Sequence, residues 1–486
     1  MFYQVDNGLL NSFISRHSWI SELAGILPLS SLIDFIEIRP KKHILELSGA
    51  VPMWSWAITP AGSRLLLSSA ADLADRDCLL DCFGETIALE ALDGRYGDRY
   101  YIKSPGTLRL VFDGHDAATI TNDHQNMTEI DMAKENRRVQ NLEIVHLTRY
   151  EPNSENRHHA SDWRTLLGSQ WRAASNLYIA TSLTGWLLLI GLITLSVLLN
   201  SWISFYFLLV IPITGVVIFC LYGIKPRRFL VESESDYNRL VVVTEHMNST
   251  DWFVIFGEST IVNSFLNRQL SPEGPSINTK MVRVLRHFLR ILILGQWALA
   301  LGSAATKRVD SYIICFWIAF SIFCHSYLIT PTRCAKDWSK SLANLNIERY
   351  HTKISTRRAL LNTILALNPD AFPSDEKSGG EKFFSGGLKW IDPILAQSQS
   401  RSCWEEATLM AMKEAGMQPI SEVLSHFGNY SPNGLSGEWN TKYPINNKEN
   451  YWAKYIPEGI YLAAKIKQEM RLPGKKVRRI EDASSV

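Results

Sequence analysis

From Ala173 to Ile224 the chain carries no Asp, Glu, Lys or Arg, a run of 52 residues between Arg172 and Lys225. A hydrocarbon core takes about 20 helical residues, so the run is too long for one crossing and suits two. Soluble helices of this length carry a polar face, and this stretch has none. Its one polar break is Asn200-Ser201-Trp202, and Trp favours the membrane–water interface. The stretch therefore reads as a membrane hairpin, Leu177–Leu199 followed by Ile203–Ile224. Pro212 falls inside the second helix, where a membrane helix tolerates it better than a soluble one.

A second apolar region follows. Ile291–Thr306 holds 16 uncharged residues and Ser311–Thr332 holds 22. The latter spans readily. The former contains Gln296 and spans only as Leu289–Ala305, with Arg290 snorkelling to the surface. Ala298 and Gly302 have small-xxx-small spacing for close helix packing, although ordinary composition yields such pairs too. The expected fold is a multi-pass α-helical membrane protein with four transmembrane helices in two hairpins, 177–224 and 288–332. A mixed α/β N-terminal soluble part (1–172) precedes them. A central segment with short strands (225–282) separates them. A mainly α C-terminal soluble part (333–472) and a basic disordered tail (473–486) follow.

Basic residues near the helix ends set orientation. Arg164, Arg172, Lys225, Arg227, Arg228, Lys280, Arg283, Arg286, Arg290, Arg333, Lys336 and Lys340 flank one side; only Lys307 and Arg308 lie near the other. This bias puts both termini and the central segment in the cytosol. The N-terminal stretch has no basic n-region and no continuous apolar core, so no cleaved signal peptide is expected. The seven cysteines are odd in number and scattered, which is no disulfide framework. Asn126, Asn248 and Asn429 open Asn-x-Ser/Thr sequons and would be glycosylated only if lumenal.

In the soluble parts, Phe35–Leu47 alternates apolar and polar and reads as strand. "TLRLVFDGHDAATITND" reads as strand, Asp-Gly turn, strand. "RLVVVTEHM" and "WFVIFGEST" read as short strands. Residues 1–172 and 225–282 are expected to pack together, since both hold strand-like apolar runs. Lys336–Asp370 reads as helices ending at Asn368-Pro369, and Lys377–Gly387 as a Gly/Ser/Lys loop. "SCWEEATLMAMKEAG" reads as a helix with Ser402 and Glu405 at capping-box spacing and Gly416 at its end. "PEGIYLAAKIKQEMRL" reads as a further helix.

Candidate chemistry is sparse. Asp113, His115 and Asp116 pair carboxylates with an imidazole, whose proton affinity a carboxylate tunes; a turn is the plainer reading. Cys78 and Cys82 share a helical face but lack the second pair a structural zinc needs. His158 and His159 lie near Asp162 in a polar stretch. HExxH, Walker A, GxGxxG and GxSxG motifs are absent, so no catalytic residue, cofactor or metal site is assigned. His325 is an ionisable group inside a span, which is a functional hypothesis by default; quiet hydrogen bonding between helices is the alternative. The basic residues Lys465–Arg479 suit anionic lipid or a solvated tail. A net charge of +2 and the lack of interleaved aromatics argue against nucleic acid.

Arg357–Pro373 ("RRALLNTILALNPDAFP"), "KWIDPIL" and "CWEEATLMAMKEAG" resemble segments of uncharacterised multi-pass membrane proteins of filamentous fungi, some encoded in secondary-metabolite gene clusters. The resemblance covers the C-terminal part and the general layout, and carries over no site residue. It implies an accessory membrane protein. The expected function is non-enzymatic, an accessory or scaffolding role through the cytosolic parts, with membrane lipids and other proteins as partners. The alternatives are a small-solute transporter or channel near His325 and Gln296, and a membrane-tethered enzyme of unknown reaction.

Overall fold

The apolar runs fold as four helices long and apolar enough to cross a membrane. The structure, a computed structural model, describes residues 12–14, 16–26, 28, 38–49, 51–56, 66–67, 88–123, 138–150, 176–223, 227–228, 235, 237–267, 271–272, 279–341, 343–371, 387–416, 421, 423–424, 435, 437–444 and 451–471. Its strands are β1 (Glu90–Asp93), β2 (Arg99–Tyr101), β3 (Ala117–Thr119), β4 (Gln140–Arg149), β5 (Arg227–Arg228), β6 (Asn238–Thr244), β7 (Asp251–Glu258), β8 (Ser271–Pro272) and β9 (Leu345–Ile354). The helices begin with α1 (Ser18–Ile26), α2 (Ile38–Ser48) and α3 (Pro105–Asp113). Hairpin 1 is α4 (Asn176–Leu198) and α5 (Trp202–Ile218), with a π turn at Phe219–Gly223. After α6 (Ser259–Asn267), hairpin 2 is α7 (Thr279–Thr306) and α8 (Val309–Phe323), continued by a π turn at Cys324–Leu328. Then come α9 (Pro331–Ser341), α10 (Arg357–Leu367), α11 (Gln399–Gly416), α12 (Gly437–Lys442) and α13 (Ile456–Glu469).

Seven strands form one mixed sheet in the order β2-β1-β6-β7-β4-β9-β3. β4 runs antiparallel to β9 over ten residue pairs and parallel to β7. The sheet therefore draws on all three soluble segments: β1–β4 precede hairpin 1, β6 and β7 lie between the hairpins, and β9 follows hairpin 2. Whatever membrane the helices cross, these strands share one side of it. The packing expected between 1–172 and 225–282 takes the form of two strand pairs, β1 with β6 and β4 with β7.

Alternate side chains leave a strand on opposite faces. Val145, Leu147, Val241, Val243, Ile255, Leu345 and Ile347 belong to the core shared with the membrane helices. Leu142, Ile144, Leu240, Val242, Val254, Tyr350 and Ile354 belong to the core under α10, α11 and α13. Buried ion pairs tie the strands laterally. Arg239 donates twice to Asp93, at 2.9 and 2.8 Å, joining β6 to β1. Arg349 reaches Glu143 at 2.6 Å and also donates to the carbonyls of Phe112 and His115.

Several sequence expectations are corrected. Residues 38–48 are helix, not strand. Pro40 fits the first turn, where a missing N–H is harmless, and Lys42 meets Glu46 one turn on at 3.3 Å. Pro105–Asp113 is a helix rather than the first arm of a hairpin. Pro105 starts it, Leu108, Val111 and Phe112 bury one face, and the Gly114 N–H closes it on Leu110. Leu345–Ile354 is a strand within a region expected to be helical. At α11 the Ser398 hydroxyl, not Ser402, accepts a backbone N–H, that of Arg401 at 3.2 Å. Lys377–Gly387 and 473–486 lie outside the described residues, apart from Gly387 itself.

The two hairpin turns are laced together at the end away from the sheet. Asn200 and Lys307 adopt left-handed backbone, with φ of 49° and 50°. Asp310 accepts the Ser204 N–H at 2.9 Å, capping α5 from α8. The Ser311 hydroxyl donates to the Ser303 carbonyl at 2.7 Å. α7 is, like its neighbours, long and apolar enough to cross a membrane, and an exposed apolar stripe of Met281, Val284, Phe288, Ile291, Leu294 and Leu301 runs along it. Ala298 is exposed, and a Cβ at Gly302 would meet nothing within 4 Å, so that pair is no helix contact. α1 is the exception to the grouping of residues 1–172. Its Ile20 carbonyl accepts from Tyr312 Oη at 2.6 Å, near the turn of hairpin 2.

Breaking a buried pair while leaving its partner charged costs about 3–5 kcal/mol. Asp93→Ala is expected to lower the unfolding midpoint of the detergent-solubilised protein markedly, and Asp93→Asn by less. An unchanged midpoint for Asp93→Ala would show that β1 is not held by this pair.

Candidate functional site

The stretch "VPMWSW" has no periodicity, yet its Trp54 and Ser55 are fully buried among the helices. Met53–Ser55 forms a single 3-10 turn lodged between α4 and α5. A Cβ on Gly185 would lie 2.1 Å from the Trp54 ring, and one on Gly215 would lie 2.1 Å from the Met53 carbonyl oxygen. Only glycine permits these approaches. Gly185 is nine residues from the sheet-side end of α4, and Gly215 eight from Gly223. At 1.5 Å per residue the turn sits about 12–14 Å along the helices from the sheet-side end of the bundle. Buried irregular backbone needs partners for its polar groups.

The partners are present. The Ser55 N–H and hydroxyl both donate to the Pro52 carbonyl, at 3.1 and 2.7 Å. Trp54 Nε1 donates to the Ser182 carbonyl at 3.1 Å, and its ring lies 5.9 Å from that of Trp317 and 5.6 Å from that of Phe320. The Ser55 carbonyl accepts from Lys41 Nζ at 2.6 Å, and His325 hydrogen-bonds the same backbone residue. Lys41 Nζ also lies 4.3 Å from the Trp56 ring centroid. Burial pushes the Lys41 amine well below its ordinary value. All of residues 41–49 are buried. Lys42 lies 3.9 Å over the Tyr222 ring, and His43 Nε2 meets the Thr107 hydroxyl at 3.2 Å. α2 is thus a polar collar where bundle and sheet meet.

A polar stripe runs along α8 beside this insert. Trp317, Ser321 and His325 recur every four residues on one face. Trp317 Nε1, Ser321 Oγ and His325 Nε2 are buried without a hydrogen-bond partner among the described residues. Gln296 donates to Thr214 Oγ1 at 3.2 Å. The expectation singled out His325 and Gln296. It missed Lys41 and the 52–56 insert, whose signal is a tryptophan pair with no matching glycines nearby in sequence.

A second group lies on the other face of the sheet. His146 Nδ1 is 3.3 Å from Glu348 Oε2, which also accepts from the Tyr350 hydroxyl at 3.2 Å. Burial lowers the His146 proton affinity, and Glu348 opposes that. A carboxylate-oriented imidazole is the arrangement of a general base; it is equally a cross-strand pair that fastens β4 to β9.

The sequence candidates disperse. Asp113 is exposed, and Asp116 is exposed and 3.8 Å from Lys336. His115 is buried, with Nδ1 2.9 Å from the Val111 carbonyl and Nε2 3.4 Å from Ser339 Oγ. It pins α3 to α9 and makes no acid–base group with its neighbours. Cys78, Cys82, His158, His159, Asp162, Asn126 and Asn429 lie outside the described residues. Asn248 sits in the β6–β7 turn, its amide oxygen accepting from Arg357 at 3.1 Å. Cys220, Cys315, Cys324, Cys334 and Cys403 are free thiols; burial pushes Cys334 up to about 12. Among the described residues no three His, Cys, Asp or Glu are grouped to hold a metal ion.

Comparison of the chain with protein-family models, with curated proteins and with solved structures yields no match.

Two outcomes are expected. Truncating a buried Trp costs about 3–5 kcal/mol, so Trp54→Ala should strongly lower the unfolding midpoint, whereas the exposed Trp202→Ala should not. A stable Trp54→Ala protein would show that the insert is not anchored. His115 is held below the ordinary imidazole value by burial, so the unfolded chain takes up the proton first. Stability should hold above about pH 6.5, fall as pH drops below it, and level off beneath the folded value. His115→Gln should flatten that slope in pH-dependent denaturation.

Proposed function

We propose that this chain is an integral membrane protein whose sheet and helical layers form a non-catalytic docking platform for other proteins in the cytosol. The supporting observation is the insert at Pro52–Trp56. It fills the centre of the helix bundle with packed tryptophan and fixes the platform to the membrane part, which suits a rigid anchor more than a conduit. Orientation rests on the basic residues that flank the helices on the sheet side. On this reading Asn126, Asn248 and Asn429 stay unglycosylated, and anionic lipid lies against the Lys280–Arg290 end of α7. The resemblance to fungal membrane proteins extends the reading to an accessory role in a secondary-metabolite pathway.

Two observations favour other readings. The unpartnered polar atoms of Trp317, Ser321 and His325 favour a small-solute transporter or channel, since buried polar groups want water or ligand. The His146–Glu348–Tyr350 group favours a membrane-tethered enzyme. One set of variants separates the three in a deletion strain with metabolite profiling and in reconstituted vesicles. The platform reading expects vesicle flux at the protein-free level, and full complementation by both His325→Ala/Gln296→Ala and His146→Ala. Flux that the first variant abolishes supports transport. Lost complementation by a folded His146→Ala protein supports catalysis.

A further inference from the structure

The two ends of the helix bundle are distinguishable by their contacts. Gly223, Leu328, α2, α9 and the sheet lie at one end. The turns at Asn200 and Lys307 lie at the other. α1 belongs to the second end: Tyr312, the fourth residue of α8, donates to the Ile20 carbonyl at 2.6 Å. A Cβ on Gly25 would come within 3.1 Å of Lys307 Cε. α2 belongs to the first end. Lys41 and His325 share the Ser55 backbone, and Leu45 Cδ1 would lie 3.0 Å from a Cβ on Gly223. From Tyr312 to His325 is 13 helical residues, about 20 Å along the axis. The chain must cover that depth between Ile26 and Ile38, and eleven linking residues reach roughly 36 Å when extended.

The surface of α1 is divided. Ala24 is buried, as is Ile14 just before the helix, while Phe13, Trp19, Leu23 and Ile26 are exposed. Arg16 and Glu22 are exposed among them. Apolar side chains interleaved with one basic and one acidic side chain and a Trp suit a segment lying in a lipid interface. The exposed face of hairpin 2 at this level, where Leu301 and Phe316 lie, continues the same surface.

We propose that α1 rests in the headgroup layer of the leaflet opposite the sheet, its partner the lipid interface, so that the chain crosses once more between Ile26 and Ile38. Residues Ser12–Ile26 then lie across the membrane from the sheet and from α13. This departs from the expectation that both chain ends are cytosolic, and leaves the basic-residue bias almost untouched because it adds only Arg16 to Lys307 and Arg308 on that side.

The test uses the full chain in its native membrane with the natural cysteines replaced. Single cysteines are placed at Glu22→Cys and at the exposed Glu406→Cys in α11, and reacted with a membrane-impermeant maleimide from each face. In a second arm, a sequon-bearing tag is attached at either terminus. The expected result is labelling of the two cysteines from opposite faces, with an endoglycosidase-sensitive gel shift for the N-terminal tag only. Labelling of both from the same face overturns the proposal. So does a Glu22→Cys thiol that reacts from neither face while the N-terminal tag stays unmodified. Opposite-face labelling with the C-terminal tag glycosylated instead leaves α1 where it is placed and overturns the cytosolic platform. The two ideas therefore fail separately.

Discussion

The pairing of β4 with β9 is the constraint on which the rest depends. Ten residue pairs join Gln140–Arg149 to Leu345–Ile354, with both apolar hairpins inserted in the chain between them. Because β6 and β7 fill the neighbouring places, each hairpin must leave the sheet and return to it. If either hairpin crosses a membrane, strand geometry requires that it cross and return, because the strands before and after it pair in one sheet. Arg349, Arg149 and Arg239 then fasten strands and layers that the hairpins would otherwise let drift apart.

The sheet is coupled to the bundle through an unusual economy of small residues. Gly185 and Gly215 open a slot just wide enough for Met53 and Trp54. The buried backbone that enters it needs donors, and Lys41 and His325 supply them to Ser55. Burial disfavours the charged amine of Lys41 and lowers its proton affinity. Of the polar groups in the helices, His325 thus has a local structural duty at Ser55, and Gln296 has one at Thr214.

What was legible in the sequence follows from where each signal resides. The membrane helices announce themselves by the absence of charge over a long run, a signal tertiary context hardly alters. β6 and β7 are dense in Val, Ile, Phe and Trp, so local preference and final state agree. α2 reads as strand because Phe35–Leu47 alternates; its Lys42, His43 and Glu46 are buried along with Ile44, Leu45 and Leu47, so apolar and polar side chains do not separate into an inner and a solvent-facing side. α3 was misread because Asp113-Gly114 is as good a helix end as a hairpin turn. β9 alternates too, but sits between two true helices and was absorbed by them. The Pro52–Trp56 insert was invisible because its partners are remote: Trp54 bonds a carbonyl 128 positions along the chain.

The central position of β4 also dictates how the protein can be made. On the ribosome β4 emerges about 200 residues before its partner β9, and at roughly 5–20 residues per second that is a wait of about 10–40 s. During it, a strand of alternating Leu, Ile and Val has an open edge on at least one side, the kind of edge that invites pairing with a stranger. β7 arrives first and covers one edge; the second stays bare until both hairpins have emerged. Closure of the sheet at β4 therefore comes after both hairpins are made, and a stalled or truncated nascent chain ending before Leu345 would leave that edge uncovered.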